Sequence, residues 1–319
     1  VTELLGGIDL GGTKIQTAVV DDAGKVSGES RRPTPTSGGP QDVADEMVAA
    51  MREAAEQAGI ETNALAGIGV GSPGDADERT GVVSAARNLP GWEGSFPLGE
   101  ALKKDLGAEV RVGNDVQVAT EAEFHLGAGR EFKSLIGVFW GTGVGGGLVL
   151  DGKPWLGRGT AGEIGHMVVK RGGAKCPCGR RGCMEAYAGR SAMEAEARRQ
   201  HEEGHKTELF KLMEKHGKPR LTSGIWERAI DADDHLAEDL IQRAIEALGT
   251  GVASAVNLLD PEAVIIGGGL GVRFGDRYME PLTKEMGKHL FLDEKPPAVR
   301  VAALGDLGGA IGASLLFAR

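Results

Sequence analysis

One phrase occurs twice in this chain, and the repetition constrains the fold more than any other feature. The phrase is strand, glycine turn, strand, Asp-Gly turn. In the first copy Leu4-Leu-Gly-Gly-Ile-Asp-Leu10 reads as a short buried strand and Gly11-Gly12-Thr13 as a turn. Ile15, Thr17 and Val19 then alternate as a second strand does, and Asp21-Asp22-Ala23-Gly24 turns the chain again. In the second copy Leu135–Trp140 is the strand, Gly141-Thr-Gly-Val-Gly-Gly-Gly147 the turn, and Leu148-Val-Leu150 precedes Asp151-Gly152. The spacing is that of two domains built on one plan. Glycine makes up 52 of 319 residues, about twice its usual ~7% share, and it gathers at strand ends, where backbone amides can approach a ligand.

Helical and strand patterns alternate between and after the copies. Residues 40–59 place Val43, Met47, Val48, Met51, Ala54 and Ala55 on one helical face and stop at Gly59. A small-residue strand over 66–71 runs into Ser72-Pro73-Gly74. A helix over 97–106, a strand at 110–112 and a helix over 116–126 follow. From about 190 to 250 the pattern is helical and charged, with a polar stretch near 201–223 to which no role is assigned. Ala263–Ile266 is a further buried strand entering Gly267-Gly268-Gly269, and Gly308–Phe317 is a glycine- and alanine-rich helix suited to close packing on a sheet. The class is α/β with two domains.

Composition removes several functions. A net charge of −10 argues against a nucleic-acid surface, which needs clustered Lys and Arg, and aromatics at 4% are too few for base stacking. No apolar run reaches the 18 residues of a membrane span and no leader pattern precedes the first strand, so a cytoplasmic protein without membrane partners is expected.

All three cysteines fall in Cys176-Pro-Cys178-Gly-Arg-Arg-Gly-Cys183, ten residues after His166 of Glu163-Ile-Gly-His166. Three thiolates and an imidazole complete a tetrahedral zinc set with no position left for a reactive water, which makes the site structural. A disulfide would strand the third cysteine, a redox thiol cluster is the other reading, and water or Glu163 competes with His166 for the fourth position.

Asp9 stands at a strand end beside Gly11, Gly12, Thr13 and Lys14. That turn suits phosphate oxygens, with a Mg²⁺ held through water by Asp9. One such turn alone is an ordinary hairpin; the second copy, Gly141, Thr142 and Gly143, favours a grip on a polyphosphate from two sides. Gly267, Gly268 and Gly269 do not match a dinucleotide fingerprint and suit either the adenosine part or a plain strand-to-helix turn. Asn114-Asp115 opens a helix, so either is a candidate N-cap, while a carboxylate there could accept the proton of an attacking hydroxyl. Glu163 and Glu185 flank the cysteines, and Asn88 lies in Arg87-Asn-Leu-Pro-Gly-Trp92. Either they are solvated side chains, or they bind sugar hydroxyls, with the second ring nitrogen of His166 as a further donor.

Asp9-x-Gly-Gly-Thr13, Asn114-Asp115, Gly141-Thr-Gly-x-Gly-Gly, Glu163-x-Gly-His166 and Cys176-x-Cys-Gly-x-x-Gly-Cys-x-Glu185-x-x-x-Gly189 together resemble the ROK family of sugar kinases and repressors, across nearly the whole chain. The pattern is similar to bacterial, actinobacterial-type ATP-dependent glucokinases. The resemblance implies two RNase-H-like domains of the actin/hexokinase/Hsp70 superfamily with a cleft between them, placed at 1–117 plus 305–319 and at 118–304. It implies phosphorylation of a hexose, foremost glucose, at its 6-hydroxyl, with Asp115 as base. Asn88, Asn114, Asp115, Glu163, His166 and Glu185 would contact the sugar, Mg²⁺ would accompany ATP, and His166, Cys176, Cys178 and Cys183 would hold structural zinc. A homodimer or homotetramer is implied as well. Other substrates (mannose, fructose, N-acetylglucosamine, N-acetylmannosamine), polyphosphate as donor, and a sugar sensor without turnover are the alternatives. Family repressors carry an N-terminal DNA-binding segment of some 80 residues, and here the hairpin begins at residue 4, which weighs against the sensor.

Overall fold

The computed structural model of the chain describes residues 3–317 apart from Arg87 and Asp293. The first copy of the repeated phrase folds as read; in the second the turn is only Gly141–Gly143, and residues 144–147, read as turn, already belong to the next strand because their glycines pair in the sheet. β1 (Leu5–Leu10), β2 (Lys14–Val20) and β3 (Val26–Pro33) form an antiparallel meander, and β4 (Gly67–Ser72) pairs parallel to β1. A small meander of β5 (Asp75–Asp77), β6 (Val82–Ser84) and β7 (Ser95–Phe96) follows, and then β8 (Val110–Asn114), parallel to β4. The first large sheet therefore has the order β3-β2-β1-β4-β8. The second repeats it as β11-β10-β9-β12-β13, from β9 (Leu135–Trp140), β10 (Val144–Leu150), β11 (Lys153–Pro154), β12 (Ala263–Gly267) and β13 (Ala298–Val301). Asp151 and Gly152 both have positive φ, 51° and 75°, as the tight turn between β10 and β11 requires.

The chain divides into two compact units. One comprises Val1–Lys133, Gly147–Ala161 and Ala303–Arg319; the other comprises Ser134–Gly146 and Gly162–Ala302.

In the first unit, strand alternation sorts β1 into two faces. Ile8 and Leu10 join a core with Ile15, Ile68 and Val70, covered by α1 (Pro40–Gln57) through Met47 and Met51 and by α2 (Leu98–Leu106) through Leu102. Gly7 and Asp9 point to the other face. There α3 (Asp115–His125) and the glycine-rich C-terminal helix lie close to the strands. A Cβ on Gly7 would stand 1.8 Å from the carbonyl oxygen of Ala310, and one on Gly69 1.7 Å from that of Ala313. Only glycine lets the helix backbone settle on the sheet.

The second unit carries the charged helices: α4 (Glu185–Ala188), α5 (Arg190–Glu202), α6 (Leu209–Lys215), α7 (Ser223–Asp231) and the long α8 (His235–Leu259). Asp234 caps α8 by accepting the Ala237 N–H at 3.0 Å, and Leu240, Ile241, Ala244, Ile245, Leu248 and Val252 form its buried stripe. α9 (Gly268–Arg273) and α10 (Gly275–Gly287) follow β12, and the first unit ends with α11 (Gly308–Ser314) and a 3₁₀ turn over Leu315–Phe317. Among the described residues no helix is long and apolar enough to cross a membrane.

Candidate active site

In the first unit the candidate residues gather at the carboxyl ends of three parallel strands. Asp9 of β1 pairs with Gly71 of β4, and the next β4 residue, Ser72, pairs with Asn114 of β8. Asp9 and the Asn114-Asp115 pair thus share one edge of the sheet, where ligands of open α/β folds bind. The Gly11–Thr13 turn is closed by the Gly11 N–H donating to the Lys14 carbonyl at 2.9 Å, and the Thr34 hydroxyl holds the Gly11 carbonyl at 2.6 Å. Asn88 stands against this turn: a Cβ on Gly12 would meet its Nδ2 at 3.1 Å. The loop bearing Asn88 is anchored by Trp92, fully buried, edge-on to Phe96, with its indole N–H on the Val83 carbonyl at 3.2 Å. Arg87 of the same motif lies outside the described residues.

Asn114 does act as an N-cap. Its Oδ1 accepts the N–H groups of Val116 at 3.1 Å and Gln117 at 3.0 Å, which leaves its amide NH₂ as the group available to a ligand. Asp115 opens α3 and also accepts the Val116 N–H, at 2.9 Å, so the helix terminus orients the carboxylate.

The Asp9 carboxyl is pushed up to about 6 by burial; Lys14 opposes that shift and Asp306 adds to it. An enclosed acid whose charge is under-compensated fits a divalent cation, and Asp9 is the residue that would hold Mg²⁺ through water. Asp306 is a neighbour of the Gly11–Thr13 turn that no motif in the sequence marks. It lies 3.4 Å from the Lys14 ammonium and 3.5 Å from Arg31. Nothing local marks it, since almost the whole chain separates it from Lys14.

In the second unit two separately read glycine motifs meet. β9 and β12 are parallel, with Phe139 opposite Gly267, so Gly141–Gly143 and Gly267–Gly269 leave the sheet side by side. Gly268 has φ +80° and lies against the Trp140 carbonyl, which a Cβ would approach to 2.6 Å. The Trp140 indole N–H is bonded to the Ala188 carbonyl at 2.6 Å, fastening β9 to the segment after the cysteines.

His166, Cys176, Cys178 and Cys183 converge, all four donor atoms lying within 4.8 Å of one another. Sγ of Cys178 and Sγ of Cys183 are 3.7 Å apart, and Nδ1 of His166 is 3.7 Å from Sγ of Cys176. Tetrahedral zinc with bonds of about 2.3 Å to sulfur requires thiolates roughly 3.8 Å apart, while a disulfide needs about 2.05 Å. The set fits zinc, and the cysteines are free thiols. Without metal, a hydrogen bond from Arg180 brings the Cys178 thiol down to about 6, whereas burial pushes Cys176 up to about 12 and also raises Cys183. Zinc would take all three as thiolates.

The metal-side nitrogen of His166 is Nδ1, and its Nε2 faces Glu163 Oε2 at 3.8 Å. Glu185 joins the knot to the glycine turn: Oε1 lies 3.7 Å from Sγ of Cys176, and Oε2 accepts the Val144 N–H at 3.0 Å. Gly143 makes room for it, since a Cβ there would sit 2.3 Å from Oε2. Glu163, His166 and Glu185 are thus held on one frame rather than scattered over the surface.

A kinase-type α/β fold with a cysteine-braced pair of carboxylates is what these two units define. The ROK family model matches residues 5–319, and the chain belongs to that family. It is 33% identical to a glucokinase of Halalkalibacterium halodurans, over 97% of this chain and 93% of that one. It is 29% identical to an N-acetyl-D-glucosamine kinase of Mannheimia succiniciproducens, over 97% and 98%. Among solved structures it resembles a ROK family glucokinase from Streptomyces griseus in complex with glucose and AMPPNP, with a TM-score of 0.82, 30% identity and 98% of each chain covered.

Proposed function

We propose that this chain transfers the γ-phosphoryl group of ATP to the 6-hydroxyl of glucose. The observation that carries this reading is the end-to-end similarity to a glucokinase solved with glucose and an ATP analogue, joined to an intact set of reacting side chains here. Asp115, oriented by the amino end of α3, accepts the proton of the sugar hydroxyl. The freed oxygen forms the new O–P bond in line with the breaking bond between the γ-phosphorus and its bridging oxygen, and ADP leaves with that bond's electrons. Asn114 offers its NH₂ and Asn88 its amide to the sugar, and Glu163, Glu185 and Nε2 of His166 match further hydroxyls. Asp9 would hold the Mg²⁺ that neutralises the donor's phosphates, and Thr13 and Lys14 lie beside it for the same charges. Zinc held by His166, Cys176, Cys178 and Cys183 would be structural, because four protein ligands would leave no position for a reactive water.

A coupled ADP-release assay over a panel of hexoses and N-acetylhexosamines, with ATP and with polyphosphate, tests the reading. Glucose with ATP should give the highest kcat/KM. The likeness to an N-acetyl-D-glucosamine kinase makes N-acetylglucosamine the second substrate to try, and a preference for it would overturn the glucose assignment. The same reading carries a cytoplasmic homodimer or homotetramer, which light scattering on the eluting protein would check.

A further inference from the structure

The polar stretch at 201–223, without a role in the sequence, returns to the glycine turn of the second unit. Asp234 fastens its start by accepting the Thr207 hydroxyl at 2.7 Å and the Glu208 N–H at 2.5 Å. After α6 the chain turns at Gly217, φ +57°, and re-enters the core at Leu221, which is fully buried. The Leu221 N–H donates to Glu194 at 3.0 Å, and its carbonyl accepts Nη1 of Arg190 at 2.9 Å.

Arg190 is tied just as closely to the turn. Its Nη2 donates to the Thr142 hydroxyl at 2.9 Å, its backbone N–H to the Gly141 carbonyl at 3.0 Å, and the Ser191 N–H to the Thr142 carbonyl at 3.0 Å. Arg220, just before Leu221, donates to the Ser191 hydroxyl at 3.2 Å. Two guanidinium groups therefore stand at this turn and the residue bonded to it, Arg190 on Thr142 and Arg220 on Ser191, each bonded only to neutral oxygens. Among the described residues neither forms an ion pair with a carboxylate. Glu194, the acid nearest in sequence to Arg190, is occupied by Arg198 at 2.7 Å and by Leu221. Burial, and secondly the charge of Arg220, hold Arg190 below the ordinary guanidinium range, and the nearby Glu194 charge offsets them only in part. Like charges kept together with no carboxylate in ion-pair contact leave a place for an anion with several oxygens, and most of the five donors on each fork remain unspent.

We infer that Arg190 and Arg220 form a phosphate subsite beside Thr142 that binds the phosphate chain of the donor. The inference rests on the kinase reading and deepens it by naming a donor contact. Arg220 touches the phosphates; Arg190 both contributes charge and positions the Thr142 hydroxyl. The polar stretch is then the arm that delivers Arg220 to the turn.

The test is calorimetric titration of the protein and its Arg220→Gln and Arg190→Lys variants with Mg·ATP, tripolyphosphate and adenosine, alongside KM for ATP and for sugar. Arg220→Gln should weaken ATP and tripolyphosphate about 5- to 30-fold, as expected for one charge-assisted contact at a partly open site, and leave adenosine unchanged. KM for ATP should rise in step and KM for sugar should stay within about twofold. Arg190→Lys, which keeps the charge and loses the fork, should show a smaller loss of the same kind. Unchanged ATP and tripolyphosphate affinity in both variants, with melting temperatures equal to wild type, would overturn the subsite. If wild type phosphorylates no sugar with ATP and Arg220→Gln still loses tripolyphosphate, the kinase reading fails and the subsite stands. If wild type turns over and KM for ATP is unmoved by Arg220→Gln, the subsite fails and the kinase reading stands.

Discussion

Replacing Gly143 by alanine tests whether the glycine turn, the cysteine knot and the sugar carboxylate act as one piece. The new Cβ would lie 2.3 Å from Oε2 of Glu185 and 3.2 Å from its Cδ, so the carboxylate has to move. It cannot do so freely. Oε2 holds the Val144 N–H at 3.0 Å, and Oε1 lies 3.7 Å from Sγ of Cys176. Displacement breaks the bond to Val144 and takes the carboxylate away from the sugar hydroxyl assigned to it. A hydrogen bond to a charged group contributes about 1.5–3 kcal/mol, which corresponds to a rise of about 10- to 150-fold in sugar KM. The assay is ADP release against sugar concentration for Gly143→Ala, Glu185→Gln and the double variant. If the alanine acts through Glu185, the double variant should be no worse than Glu185→Gln alone, because both changes remove the same contact. Fully additive effects, or a Gly143→Ala sugar KM within about threefold of wild type, would refute the reasoning.

Further outcomes follow from the same geometry. Asp115→Asn keeps an acceptor for the Val116 N–H and loses the base, so kcat should drop about 10²- to 10⁴-fold while sugar affinity by calorimetry stays within a few fold; near-normal turnover would remove Asp115 from its role. Metal analysis should find one zinc per chain, and Cys178→Ala or a strong chelator should lower melting temperature and sugar affinity together; loss of zinc with unaltered sugar binding would refute the brace. Asp9 has a folded pKa of about 6 against an ordinary 3.8, so the nucleotide-free fold binds its proton more tightly than the unfolded chain does. The Asp9 contribution to stability is therefore most favourable below about pH 4 and is lost as pH rises through 6, and Asp9→Asn should gain up to about 3 kcal/mol over wild type in denaturant melts at pH 7 but not at pH 4. Gly69→Ala puts a Cβ 1.7 Å from the Ala313 carbonyl oxygen, backbone that cannot swing aside, and should cost about 3 kcal/mol or more, or prevent folding.

Much of the site was legible because its signals are local. Each glycine hairpin is written in a few consecutive residues, and alternation plus turn chemistry locates it, although glycines of the second copy read as turn extend the strand that starts at Val144. The metal set was legible for the same reason: all four donors fall between His166 and Cys183, and their residue types admit few other partners. The capping role of Asn114 and the base role assigned to Asp115 were both visible as possibilities. The register of β4 and β8 then placed both residues at the strand edge that holds Asp9.

Other contacts had no local sign. Arg190 reads as one charge among many on a helical stretch until its guanidinium is seen on the Thr142 hydroxyl, 48 positions away. Glu123 is a buried acid that no neighbouring residue marks, accepting the amides of Ala303 and Leu304 from 180 and 181 positions further on. Gly7 and Gly69 look like weak strand residues until α11 is laid across them.

The repeated strand–glycine turn–strand phrase, by itself, determined that this chain builds two sheets of one plan and ends their hairpins in open backbone. Turn geometry and strand alternation act over neighbouring residues, so sequence order is enough to encode them. Only the tertiary structure decided which distant groups those turns would meet: Asn88 and Asp306 beside the first, Glu185, Arg190 and Gly269 beside the second. Those contacts depend on parallel strand register and on helices packing down to backbone contact, and both are set by the whole core rather than by any stretch of it.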